Sequence, residues 1–476
     1  MKRPIAIKIT FPFILLIILI SQILVQTGCA NIIPPSGGPR DSLPPVLVKA
    51  SPGDSTKNFK DSKISFSFDE FIDLQNVREN LIVSPTPKND PSSWVTFKLN
   101  TVTVKPKDTL EPNTTYSLNF GNAIRDYNEG NVLKNFTYIF STGNFIDSLE
   151  LHGKVVLAED GKPDSTLIVM LHRSEDDSAV MKERPRYISK LDNRGNFVFR
   201  NLPHGTFYLY AMKDEGGVYR YDPRQLFAFA DKPVRAEQKN DSIILYAYVE
   251  NQTPQAPALS GVSIRRPQAG AAEKRLRFQT NLATNKMDLL DDFMMTFELP
   301  LRSFDSSKIR FSSDSSFTPV NNYHFEKDST KKKIKLKYSW KENTLYHLIL
   351  DKEFAEDTTG KKLLKTDTLS FTTRKKEEYG ALSIHFRSFD PSVNPVLFFI
   401  QNGEVKRSFP LSSADFSQSL FLPGDYEMGI LYDKNKNGKW DSGEFFGKHK
   451  QPEIVKPVER RITVKPDYEN EFEIAL

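Results

Sequence analysis

Cysteine is nearly missing from this chain: its 476 residues hold one, Cys29. That excludes a disulfide framework, a Cys-based zinc site and any Cys-ligated cluster. Histidine is also scarce. His152, His172, His204, His324, His347, His385 and His449 are scattered, with no His-x-x-x-His or His-Glu pair, so a zinc hydrolase has no support. Gly-x-Ser-x-Gly and phosphate-loop patterns are absent. No stretch of a dozen residues carries a convincing amphipathic helical period; Met287 to Phe297 comes nearest. A strong charge of one sign is lacking too. The formal charge of +5 falls to +2 once Lys2, Arg3 and Lys8 are discounted as part of a removed leader, which speaks against a nucleic-acid partner.

Aromatic residues are abundant, with 35 Phe and 17 Tyr, and they favour sheets. Ile64-Ser65-Phe66-Ser67-Phe68, Asn196-Phe197-Val198-Phe199 and Lys333-Ile334-Lys335-Leu336-Lys337-Tyr338 alternate apolar and polar side chains. Period two in short runs, broken by Pro, Gly, Asn and Asp, is the strand signal. The expected fold class is all-β.

The chain also repeats itself. Asn113-Thr114-Thr115-Tyr116-Ser117-Leu118 returns as Asn343-Thr344-Leu345-Tyr346-His347-Leu348, and Phe140-Ser141-Thr142 as Phe371-Thr372-Thr373. Asp126, Gly130 and Leu133 return as Asp357, Gly360 and Leu363. A second pair interleaves: Leu202-Pro203-His204-Gly205-Thr206-Phe207 corresponds to Leu422-Pro423-Gly424-Asp425-Tyr426. The reading is A–B–A′–B′, tandem β-sandwich domains of about 112 residues each. The expected boundaries are 44–146, 147–250, 251–375 and 376–476, after a 1–28 leader and a 29–43 Pro/Gly-rich tether.

The leader begins with Lys2 and Arg3, continues through an apolar run from Phe11 to Ile20, and ends at Thr27-Gly28-Cys29. These are the parts of a secretory signal. With the only Cys directly after Gly28, the segment resembles a bacterial lipoprotein signal, although Gln26 stands where Leu is usual. The resemblance implies lipidation of Cys29 and anchoring in a membrane, here expected to be the outer membrane with the chain facing the periplasm; surface display is the alternative.

Pro44-Pro45-Val46, Phe68-Asp69-Glu70-Phe71, Leu110-Glu111-Pro112-Asn113-Thr114-Thr115-Tyr116 and Phe140-Ser141-Thr142-Gly143 resemble the bacterial Ig-like domain first noted in surface-layer proteins. Leu151-His152-Gly153-Lys154-Val155 and Gly195-Asn196-Phe197-Val198-Phe199 resemble the carboxypeptidase-regulatory, or transthyretin-like, domain. The whole layout resembles Ig-like-domain lipoproteins of Bacteroidota, which implies an architecture and a compartment, not a reaction.

The strongest site signal runs from Asp433 to Glu444. Asp433, Asn435, Asn437, Asp441 and Glu444 occupy positions 1, 3, 5, 9 and 12 of an EF-hand-type spacing, with Gly438 at position 6 and the Lys439 carbonyl at 7. Oxygen donors in that order suit structural Ca²⁺; the plainer reading is a polar Asx-rich hairpin loop. Asp214 to Asp222 lacks the spacing, and Asp69 and Glu70 are expected to bond loop backbone at a strand end. Lys333, Lys335 and Lys337 are expected on the outer face of an edge strand. Trp440, inside the polar loop, stands apart from Trp94 and Trp340.

The function expected is non-catalytic: a lipid-anchored envelope module that supports or binds an envelope protein or glycan, with no nucleic-acid partner. The alternatives are an accessory subunit of an outer-membrane transport, secretion or polysaccharide system, and an enzyme with its site between domains.

Overall fold

A computed structural model describes residues 40–214, 216–237, 242–250 and 275–476. The leader and Cys29 lie outside the described residues. Contacts divide the chain into two compact units, one of residues up to 83 with 87–146, the other of 84–86 with 147–476. Apart from short helical turns such as Val77–Asn80 and Ala179–Lys182, the regular elements are strands.

The first unit contains β1 (Leu47–Ser51), β2 (Ile64–Phe68), β3 (Ile72–Leu74), β4 (Ile82–Ser84), β5 (Val95–Lys98), β6 (Thr101–Val104), β7 (Thr115–Asn119), β8 (Ile124–Asp126), β9 (Val132–Leu133) and β10 (Thr137–Ser141). A β1-β2-β6-β5 sheet and a β10-β7-β4 sheet sandwich the core, and β3-β8-β9 forms a third small sheet. The alternation in β2 works as written: Ile64, Phe66 and Phe68 point into a core shared with Trp94, Phe120 and Tyr138, while Ser65 and Ser67 face outward.

In the second unit the strands β11 (Leu149–Leu157), β12 (Leu167–His172), β13 (Tyr187–Lys190), β14 (Asn196–Leu202), β15 (Thr206–Lys213), β16 (Leu226–Phe229), β17 (Val234–Arg235) and β18 (Ile243–Val249) come first. They make a continuous sheet in the order β13-β12-β15-β16-β18-β11-β14, with β17 pairing β15. Next come β19 (Phe278–Thr280), β20 (Lys286–Met287), β21 (Phe293–Phe297), β22 (Leu301–Phe304), β23 (Ile309–Ser313), β24 (Thr318–Pro319), β25 (His324–Lys327), β26 (Lys333–Lys337), β27 (Leu345–Leu350), β28 (Ala355–Asp357) and β29 (Asp367–Thr373). The last set is β30 (Gly380–Arg387), β31 (Pro395–Gln401), β32 (Glu404–Pro410), β33 (Asp415–Phe421), β34 (Gly424–Tyr432), β35 (Ile454–Val464) and β36 (Glu469–Ala475).

The duplication is visible in the pairings. β1-β2-β6-β5 is matched by β19-β21-β26-β25, and β10-β7-β4 by β29-β27-β23. β11 lies between antiparallel β14 and parallel β18; β30 lies likewise between antiparallel β33 and parallel β36. One join differs. β16 bonds β18, whereas β35 and β36 stay in separate sheets, so the last set is two sheets, β33-β30-β36 and β32-β31-β34-β35. Tandem Ig-like β-sandwiches in an A–B–A′–B′ order are the architecture.

The repeated residues hold corners of the fold. In the first unit the Tyr116 hydroxyl accepts from the Glu111 N–H at 2.9 Å, and the Thr142 hydroxyl donates to the Glu111 carbonyl at 2.7 Å while accepting from the Thr114 N–H. Tyr346, Lys341, Thr373 and Thr344 repeat these bonds. Asn113 and Asn343, at φ 50° and 49°, turn the chain in the left-handed region that Asn tolerates. Asp126 accepts from the N–H groups of Glu129, Gly130 and Asn131, and Asp357 from those of Thr359 and Lys361. Burial alone would raise the Asp126 carboxyl, but the N–H groups of Gly130, Glu129 and Asn131 outweigh it and hold it below the usual range.

Two expectations change. Met287 to Phe297, the nearest helix candidate, divides between β20 and β21. Lys333, Lys335 and Lys337 do line the outer face of β26 with Ile334 and Leu336 fully buried, but β26 is no edge: β21 and β25 flank it. The lysines' charge therefore guards no free edge. Lys337 pairs with Asp292 at 2.6 Å, and Lys335 stands opposite Glu326.

Candidate functional site

The loop that follows β34 begins with Asp433, whose side chain is buried. One carboxylate oxygen accepts from the Lys436 N–H at 2.7 Å and the Asn437 N–H at 3.2 Å; the other accepts from Gly438 at 2.7 Å. Gly438, at φ +73°, permits the turn that brings these donors round. Asp214 does the same in the earlier repeat, accepting from Gly217, Val218 and Tyr219. The two loops are thus the same Asx-closed turn, and the later one is extended.

The extension closes on itself. The side-chain amides of Asn435 and Asn437 donate to one oxygen of Asp441, the latter at 2.7 Å. Glu444 lies away from that knot: its carboxylate pairs with Lys448 at 2.7 Å, and its backbone bridges Lys450 in both directions at 2.8 Å. The carboxylate that joins the loop is Glu453, which accepts from the N–H groups of Lys434 at 2.8 Å and Asp441 at 3.1 Å. Burial, helped by Asp433 and Asp441 and opposed by those two N–H groups, raises its carboxyl. Among the described residues no three acidic, histidine or cysteine side chains are grouped as metal ligands. The Asp433, Asn435, Asn437, Asp441 set is brought together, Lys439 is bonded through its N–H to Asn437 at 2.7 Å, and Glu444 is not part of the set.

Beyond the knot the loop reaches the β11–β18 sheet. Phe445, 1% exposed, sits among Tyr210, Tyr221, Phe227 and Phe229, with ring centroids 5.0 to 6.3 Å away. Its N–H donates to Glu250, whose other oxygen takes the Tyr221 hydroxyl. Ser442 donates to the Val249 carbonyl at 2.7 Å, Gln451 to the Phe229 carbonyl at 3.0 Å, and His449 pairs with Asp177 at 2.6 Å. Gly443 passes so close to Tyr248 that a Cβ there would fall 2.5 Å from the ring. Trp440 donates to the Glu453 carbonyl at 2.7 Å, which makes it a brace of the loop instead of an exposed platform. The arrangement is a clasp between the loop that follows β34 and the β11–β18 sheet. Glu250, Phe445 and Glu453 carry it and were not singled out from the sequence. The Phe445-Phe446 pair after a polar loop was the available signal.

The remaining candidates are structural. Asp69 accepts from the Val46 N–H at 2.8 Å. His385 bonds Asp415 at 2.7 Å on an exposed sheet face, and His347 bonds Ser370. His172 is 2% exposed, and burial pushes its imidazole down to about 4. No helix among the described residues is long and apolar enough to cross a membrane.

Against known proteins, a search of curated sequences finds no match. Among solved structures the chain is similar to the Bacillus anthracis TIE protein, 13% identical over 93% of this chain and 76% of that one, with a TM-score of 0.17. It is similar to BcpA, the major pilin subunit of Bacillus cereus, at 10% identity over 68% of this chain and 99% of that one, TM-score 0.16. The N-terminal part of the bacterial S-layer protein SbsC is 12% identical over 44% of each chain, TM-score 0.16. Likenesses this distant carry no functional argument. The informative comparison is with a family model: residues 41–142, the first unit, match the bacterial Ig-like domain.

Proposed function

We propose that this chain is a non-catalytic envelope module, anchored by lipid on Cys29 in the outer membrane and facing the periplasm, that supports or binds an envelope protein or glycan. The observation that carries the reading is where the repeated polar residues go. Asp126, Asp214, Asp357 and Asp433 each close a turn through backbone N–H groups, and the Tyr116–Thr142 and Tyr346–Thr373 pairs lock corners. Side chains used in this way make rigid sandwiches whose loops are free to recognise a partner. The B and B′ repeats are read as carboxypeptidase-regulatory-like sandwiches on the residues quoted for them. The test of the anchor is whether the wild-type chain, but not Cys29→Ser, fractionates with the outer membrane.

Calcium remains part of the proposal, with one change of ligand. The donors are Asp433, Asn435, Asn437, Asp441 and the Lys439 carbonyl, with Glu453 in the place that spacing assigned to Glu444. Bound Ca²⁺ would replace the amide-to-Asp441 hydrogen bonds with metal contacts and clamp the loop. Calorimetric titration of the full chain is expected to show millimolar-or-tighter binding that Glu453→Gln abolishes and Glu444→Gln leaves unchanged. No heat and no rise in melting temperature at millimolar Ca²⁺ would remove the metal from the account.

A further inference from the structure

We propose that one end of the first unit is a lipid-contact face, which seats this Ig-like domain on the bilayer that holds its anchor. The inference rests on the lipid-anchor reading above. Leu43, Val46, Phe71, Leu99 and Tyr127 are all more than half exposed, Tyr127 at 70%. Apart from Leu43 and Val46, which share a segment, they are far apart in sequence, yet backbone bonds gather their loops. The Asp69 N–H donates to the Val46 carbonyl at 3.1 Å, the Ile72 N–H to Leu99 at 3.1 Å, and the Tyr127 N–H to Phe71 at 2.9 Å. The turn after Tyr127 is closed by Asp126, and Asn131 donates to the Asp41 carbonyl at 3.2 Å. The apolar tips therefore stand on braced turns.

Strand register puts all of these loops at the same end. Leu47 pairs with Phe68 and Ser67 with Thr101, whereas Ser51 pairs with Ser65 and Ile64 with Val104 at the other end. The Arg40 guanidinium donates to the Glu129 carbonyl at 3.1 Å, so the chain enters the domain at the apolar end. It leaves at the opposite end, where the Thr142 N–H donates to the Thr114 carbonyl beside Gly143. Arg40 is eleven residues from Cys29. Eleven residues reach at most about 40 Å when fully extended. An anchor on Cys29 thus holds this end nearer to the membrane than the other, at the higher effective concentration.

The chemistry fits a lipid headgroup boundary. Phe, Tyr, Leu and Val are side chains that enter it, and Tyr keeps its hydroxyl at the wet edge. The charges nearby are mainly acidic. Burial, with Asp126, Asp69, Asp41 and Glu129 around it, raises the Glu70 carboxyl. A zwitterionic surface suits this mixture better than an anionic one.

The test supplies the anchor chemically. The mature chain, with Cys29 as its sole thiol, is coupled to a maleimide lipid in phosphatidylcholine vesicles and compared with the thiol-capped chain beside the same vesicles. Hydrogen exchange in residues 70–72, 98–100 and 126–128 is expected to slow about fourfold on coupling, as for a face covered about three-quarters of the time. Residues 112–114, at the other end, should not change. In the Phe71→Glu, Leu99→Glu double variant, whose positions are exposed, the slowing should vanish while coupling and melting temperature are kept. Equal rates in coupled and capped wild type would overturn the proposal, as would slowing that survives in the double variant. Slowing that needs added envelope protein instead of vesicles would overturn it in favour of a protein partner. Because coupling bypasses cellular lipidation, none of these results depends on whether Cys29 is lipidated in the cell.

Discussion

Phe445→Ala is expected to destabilise the second unit by about 3–5 kcal/mol, the range for emptying a buried Phe site. The ring is 1% exposed and fills the space between Tyr210, Phe227, Phe229 and Tyr221. Its loss would leave a cavity on the β11–β18 sheet, beside the set formed by the Phe445 N–H, the Tyr221 hydroxyl and Glu250. The substitution keeps the backbone N–H and the Tyr221 hydroxyl, so Glu250 retains its donors and the cost is that of the emptied ring site. The expected measurement is a lower denaturation midpoint for the full chain, with faster proteolytic cutting between 433 and 453. Asn435→Ala, at the exposed tip of the same loop, should change stability by less than about 1 kcal/mol. An unchanged midpoint in Phe445→Ala would mean that the clasp adds nothing to the unit.

His172 sets the second large effect, and it depends on pH. Its ring lies edge-on to Tyr210 at 5.7 Å and its Nε2 has no hydrogen-bond partner. Burial pushes its imidazole from the ordinary 6.5 down to about 4. Between those values the unfolded chain takes up a proton that the folded chain refuses, so stability is complete above about pH 6.5 and is lost as pH falls toward 4. At 1.36 kcal/mol per pH unit the full loss is about 3 kcal/mol. His172→Phe should remove that part of the acid sensitivity. The wild-type-minus-variant difference in unfolding free energy, followed from pH 7 to pH 4, is the quantity to measure. A difference that stays flat with pH would show that His172 is not held neutral.

How far the sequence could be read depended on the range of the interaction. Period two in Ile64 to Phe68 announced a strand because alternate side chains must face one core. The Asn-Thr-x-Tyr and Phe-x-Thr repeats announced the duplication because each is a local corner, closed within about thirty residues. Asp433 to Asp441 was legible for the same reason. Glu453 was not: it reaches the knot across the excursion that carries Phe445, whereas Glu444, the residue the spacing picks, pairs with Lys448. The edge assignment of Lys333 to Lys337 failed in a related way, since alternation shows which face is buried but not which strand lies alongside. The apolar end of the first unit was hidden too. Its five side chains come from four separate segments, and only strand register puts them together.

Metabolic labelling with an alkyne-bearing palmitate tests the central claim most directly. In cells making the full chain, the account predicts label on the wild type in the outer-membrane fraction. For Cys29→Ser it predicts the loss of label and release from that fraction. Label retained by Cys29→Ser, or a wild-type chain that is unlabelled and soluble, would contradict it.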